Sequence, residues 1–313
     1  PLRLATAFAP SIMGAHTPDE VIMGKLLVIA DLDDKCVATP RGLELAHKLG
    51  HSVDVVAFAY ASLRRLTGDK AEQEKLKRQL LDQRELALRE RIDSHAQPGQ
   101  DVSLRVVWMK DIHDWISKRC ASGKYDLVVK TGNRSGTFTY TSTDWHLLRE
   151  CPAPVLIAAE KKWSRTKPVL ATLDLGTRSR TKQQLNDAVL VRAKAYADAL
   201  GVELRIIAAI EIPTLLADLD LVDPDSYAKE QREAMLPRIS KLADKHGIPE
   251  KAFRTKRGPV AKVITSEAAR SRAQLVVMGT VGRSGVKAKL LGNTAEAVLQ
   301  TLNTDVVALK PGT

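Results

Sequence analysis

The chain has 313 residues, 44% of them apolar and 27% charged, a balance that excludes a disordered or fibrous protein and a length beyond the roughly 100–200 residues of one ordinary domain. No apolar run approaches the roughly 20 residues needed to cross a bilayer, and no cleavable leader is evident, so a soluble, cytoplasmic protein without a transmembrane segment is expected. Lys and Arg number 48 against 37 Asp and Glu; the net charge of +11 favours anionic partners, but aromatics are only 4%, too few for a stacking surface specific to nucleic acid.

Residues 1–23 have no counterpart elsewhere in the chain and read as an N-terminal extension. Residues 25–31 form an aliphatic run ending on Asp31, the pattern of a buried parallel strand followed by a polar turn. A helix over 40–49 stops at Gly50, where a residue without Cβ can take the left-handed cap conformation. A strand over 53–59, a long charged helix over 70–95 and a strand over 103–109 follow, then a helix over 112–119 and strands over 125–129 and 155–159. Interleaved charges in residues 70–91 mark a solvated, salt-bridged helix face. Asp111, His113, Asp114, Asp144 and His146 are possible metal donors, but their spacing fits no ligand motif, and helix-surface or capping roles are expected. Cys36, Cys120 and Cys151 are too scattered for a zinc site and read as free thiols.

Residues 159–167 are poor in apolar positions and mark a boundary, dividing the chain into a first domain over 24–160 and a second over 161–313. The plan then repeats: a strand over 169–174 ending on Asp174, a helix over 182–200 stopped by Gly201, and a strand over 204–210. A charged helix over 228–246, a strand over 253–256, a helix over 260–272 and strands over 275–278 and 306–310 complete it. Strands alternating with helices at this spacing give α/β units, each a five-stranded parallel sheet with helices on both faces.

The segment over 279–296 follows a strand, precedes a helix and carries Gly279, Gly282 and Gly292. Gly279 and Gly282 allow backbone to approach a ligand, and Gly292 opens a helix whose free N–H groups favour phosphate. Asn293 with Glu296 three residues on reads as an N-cap and a variant capping box.

Glycine, two residues, glycine, nine residues, glycine is the phosphate-loop spacing of ATP-binding universal stress proteins, and the chain resembles tandem members of that family over about 290 residues, 24–313. The resemblance implies two Rossmann-like domains and a site for ATP or a related adenine nucleotide, with Mg²⁺, in the second. Asp174 would hydrogen-bond the ribose or adenine edge, Ala209 would line the adenine pocket, and Gly279, Gly282, Gly292 and Asn293 would hold the phosphates. Asn293 stands where the family has Ser or Thr, with Thr294 adjacent. Single-domain members pair through their last strands, so residues 155–159 and 306–310 are expected to pair within this chain as a pseudodimer.

In the first half, Thr131 replaces Gly279, Thr141 replaces Gly292 with fewer residues between, and Phe58 replaces Ala209. Tight nucleotide binding is not expected there, although Asp31 persists. No Walker lysine loop, serine elbow or zinc-protease motif is present, and no catalytic residue is assigned. A stress-response binding or signalling module is the expected function; the alternatives are a slow ATPase and a binder of another anionic amphiphile.

Overall fold

The computed structural model describes residues 24–31, 36–123, 125–132, 142–160, 162–164, 166–212, 222–280 and 291–312. The extension over 1–23 and Gly282 lie outside them, as does most of the first-half loop, Thr141 included.

The first half comprises β1 (Lys25–Ala30), α1 (Ala38–Leu49), β2 (Ser52–Ala59), α2 (Lys70–Asp93), β3 (Val102–Trp108), α3 (Ile112–Gly123), β4 (Leu127–Thr131), α4 (Ser142–Glu150) and β5 (Val155–Ala158). The second comprises β6 (Val169–Leu173), α5 (Arg180–Leu200), β7 (Leu204–Ile210), α6 (Pro224–His246), β8 (Phe253–Arg257), α7 (Val260–Ser271), β9 (Leu275–Gly279), α8 (Asn293–Thr301) and β10 (Asp305–Leu309). All ten strands join one sheet in the order β3-β2-β1-β4-β5-β10-β9-β6-β7-β8. Every pairing within a half is parallel, and β5 meets β10 antiparallel, Val306 opposite Ile157 and Ala308 opposite Val155. The expected pairing of the two last strands is thus present, and it merges two five-stranded sheets into one.

Alternation along the strands supplies two cores. Leu26 and Val28 of β1 face a cluster containing α1, α2, α5 and α6, while Leu27 and Ile29 face one containing α3, α4, α7 and α8. With both faces covered, the inner strands β1, β4, β5, β6, β9 and β10 are almost wholly buried and mostly apolar, while the edge strands β3 and β8 carry charged and exposed positions. Gly50 and Gly201 adopt φ of 67° and 65° and cap α1 and α5 as expected.

Most boundaries differ from the sequence reading by one to four residues, and three of the larger shifts have a visible cause or consequence. β4 begins two residues late because Tyr125 turns inward to donate its hydroxyl to Asp54 Oδ2 at 2.5 Å. α3 runs on to Gly123. α6 begins at Pro224 because Asp223 caps it, accepting from Ser226 N at 2.8 Å, with proline in the first turn where its missing N–H costs nothing. The charged helix α2 carries the anticipated surface ladder, Glu74 to Lys77 and Arg78 and Glu85 to Arg89.

Candidate functional site

In each half the strand order reverses between the first and fourth strands, β1/β4 and β6/β9, which places ligand crevices at their carboxyl ends. Asp174 follows β6 there, about half exposed, with Oδ2 3.0 Å from Lys182 Nζ on the first turns of α5. Asn186, buried on the same helix, fixes the Asp174 backbone from both sides: it accepts from Asp174 N at 3.1 Å and donates to Asp174 O at 2.9 Å. Arg238 reaches across from α6 to the carbonyls of Leu175 and Thr177, bracing the following turn. Asn186, Lys182 and Arg238 carry no motif, and only their placement on neighbouring helices brings them to this loop.

Ala209 lies on β7 opposite Lys256 of β8, half-buried against the α7–α8 core. Its methyl leaves space beside the crevice. Gly279 ends β9, and a Cβ built there would stand 2.6 Å from Leu185 Cδ2, so this glycine lets α5 close on the sheet as well as lying at the loop. Gly292 takes φ −66° and ψ 141° and is the N-cap of α8, with Asn293 the first helical residue. This corrects the capping expected of Asn293: Gly292 O accepts from Glu296 N at 3.0 Å, which shifts the whole first turn back by one residue. No side chain caps Gly292, and Asn293 and Thr294 are exposed on the opening turn. The N–H groups at this end carry the helix's positive partial charge, which Glu296 in the first turn partly offsets.

The first-half crevice is built differently. Thr131 Oγ1 accepts from the backbone N–H groups of Val37 and Ala38 at 3.1 and 3.0 Å, so the N-terminus of α1 is capped by a side chain of β4. Phe58, in the register of Ala209, packs edge-on to Trp115 with ring centroids 5.3 Å apart. Asp31 N donates to Cys36 Sγ at 3.2 Å, and Arg84 of α2 binds Asp31 O as Arg238 binds its own loop.

The scattered acid and histidine groups do not converge. His113 and His146 stack with centroids 4.4 Å apart and planes 15° from parallel, while Asp144 is buried against Lys130 Nζ at 2.8 Å. Among the described residues no three His, Cys, Asp or Glu side chains gather as a metal site. Cys36, Cys120 and Cys151 are buried free thiols. No described helix is long and apolar enough to cross a membrane.

Two doubly wound halves sharing one sheet, with helices on both faces, define a Rossmann-like α/β class. The model of the Universal stress protein family matches residues 23–159 and 181–310, and the chain belongs to that family. It is 28% identical over 296 residues to Universal stress protein E of Salmonella typhi, covering 91% of this chain and 93% of that one. The corresponding protein of Escherichia coli K12 gives the same figures, and the homolog in Haemophilus influenzae is 27% identical, with 91% and 96% covered. Among solved structures, a functionally unknown protein, PA1789, from Pseudomonas aeruginosa aligns with TM-score 0.66 and 24% identity over 93% of this chain and 94% of that one. A universal stress protein from Archaeoglobus fulgidus aligns with TM-score 0.64 and 19% identity over 92% and 98%. These two structural likenesses concern the fold.

Proposed function

We propose that the second half binds ATP or a related adenine nucleotide, with Mg²⁺ at the phosphates, and that the chain works as a cytoplasmic stress-response binding or signalling module. Its domains would divide within residues 159–167. Asp174 would meet the ribose or adenine edge, Ala209 would admit the base, and Gly279, Gly282, Gly292, Asn293 and Thr294 would surround the phosphates. The observation that carries this reading is the contrast between the halves at equivalent positions. Thr131 and Phe58 stand in the first-half crevice where the second half has Gly279 and Ala209. The donor set suits an anion: the N-terminus of α8 and the Lys182 ammonium beside Asp174.

Calorimetry with ATP and Mg²⁺ on the full chain and its Gly292→Val variant tests it. A β-branched side chain at the N-cap obstructs hydrogen bonds to phosphate worth about 1.5–3 kcal/mol each, so affinity should drop roughly tenfold to a hundredfold. Unchanged affinity in a folded Gly292→Val protein would show that this glycine only starts a helix.

A further inference from the structure

The palindromic strand order relates the two halves by an approximate two-fold, and the registers say which residues correspond. Leu26 lies opposite Leu127 as Val169 lies opposite Leu275. The caps Gly50 and Gly201 align α1 with α5, so Arg41 corresponds to Arg192 and Leu45 to Tyr196. Asp305, opposite Leu275, corresponds to Pro154, which precedes the Val155–Val128 pair.

Arg41 has a complete setting. Asp305 Oδ2 sits 2.7 Å from its Nε, and the indole of Trp163, from the segment joining the halves, lies over the guanidinium face at 4.3 Å. Arg192 has neither partner. Proline stands where the carboxylate would be, Nη1 donates to the Asp126 carbonyl at 3.0 Å, and no ion pair involves Arg192 among the described residues. Where Trp163 covers Arg41, Arg192 borders a half-open pocket of about 420 Å³ lined by Leu26, Leu49 and Leu127, with Val191 at its exposed rim.

Two further polar groups line this cavity. Tyr196 is 3% exposed, and its buried hydroxyl has no acceptor for its proton, since the neighbouring Arg192 is only a donor. His51 Nδ1 is also buried without a hydrogen-bond partner. A buried hydroxyl without an acceptor beside a guanidinium in an apolar pocket is what a ligand with one acceptor head and an apolar body would satisfy, His51 Nδ1 being donor or acceptor according to its tautomer. Asp126 lines the same space, its Oδ2 accepting from Lys25 N at 2.9 Å, so Arg192 is the group there that favours an anion.

We propose that this cavity binds a small aromatic monocarboxylic acid, its ring on the face of Arg192 and its carboxylate accepting from the Arg192 guanidinium and the Tyr196 hydroxyl. The ligand then supplies what Trp163 and Asp305 together supply to Arg41. The site shares no residue with the proposed nucleotide site.

Indole-3-propionate, titrated calorimetrically into the full chain, is the probe, with tryptamine as the cation on the same ring system. Saturable one-site binding is expected for the acid and none for the amine. Arg192→Ala should weaken the acid by at least about tenfold, and Tyr196→Phe, which removes only the hydroxyl, by several-fold. Absence of saturable binding at millimolar acid, equal binding of tryptamine, or an Arg192→Ala protein that binds the acid as well as the parent would each overturn the proposal. Should a variant fail to fold, the acid and amine on the unmodified chain still decide it.

Discussion

Arg41 of α1 and Asp305 of β10 come from opposite halves of the chain and meet at 2.7 Å, with only 6% and 1% of their side chains exposed. Asp305 Oδ1 also accepts from Ala159 N at 2.7 Å, just beyond β5, so one carboxylate ties together the end of the first half, its first helix and the last strand of the second. Such a pair adds little compared with apolar packing, but it penalises any arrangement that leaves one member alone.

Arg41→Met should therefore lower stability by about 3–5 kcal/mol at neutral pH, because Asp305, buried and already lifted to about 6, loses the cation 2.7 Å from its Oδ2. Urea unfolding of the full chain reads this directly. A loss below about 1 kcal/mol would mean that the Asp305 carboxyl finds water or keeps a proton once Arg41 is gone.

Asp54 and Asp305 should give opposite pH dependences. Burial is the largest influence on Asp54 and would raise its carboxyl, but hydrogen bonds from Tyr125, Lys25 and Ser103 prevail and hold it at about 2. Its contribution is present above the unfolded value near 4 and is lost as pH falls toward 2. At Asp305 burial prevails over Arg41 and lifts the carboxyl to about 6, so that group favours the folded state most below about 4 and loses this contribution as pH rises through 6. Urea midpoints of the parent and of Asp54→Asn, compared at pH 5 and pH 3, should show a smaller acid-side fall in the variant. An identical fall would remove Asp54 from the account.

Gly279→Ala should destabilise the protein without any ligand present. The added methyl would lie 2.6 Å from Leu185 Cδ2, and overpacking of this kind costs typically about 1–3 kcal/mol. Thermal unfolding of the nucleotide-free chain measures it. A stability equal to the parent's would mean that Leu185 swings aside and that the glycine serves the loop alone.

The sequence by itself determined the order of strands and helices, because both periodicities and stop signals are local. Apolar runs ending on Asp31 and Asp174, glycines at the ends of α1 and α5 and the repetition of that plan are legible one window at a time, and with the glycine spacing of 279–292 they carry the family resemblance. The contrast between Thr131 and Gly279 was legible for the same reason, since aligned strands put them at one register. Asp223 and Pro224 at the start of α6 were a readable cap signal that the apolar pattern obscured. What only the tertiary structure decided is which side chains from distant segments share a space. Trp163 looked like linker and proves to cover Arg41; Asn186 and Arg238 proved to hold the loops beside Asp174; Gly279 proved to make room for Leu185. The pairing of β5 with β10 could be expected from sequence, but the clefts beside it could not. Their contents depend on residues more than a hundred positions apart, Arg41 with Asp305 and Leu26 with Arg192, and no local pattern encodes a meeting that exists only once the two halves have closed on each other.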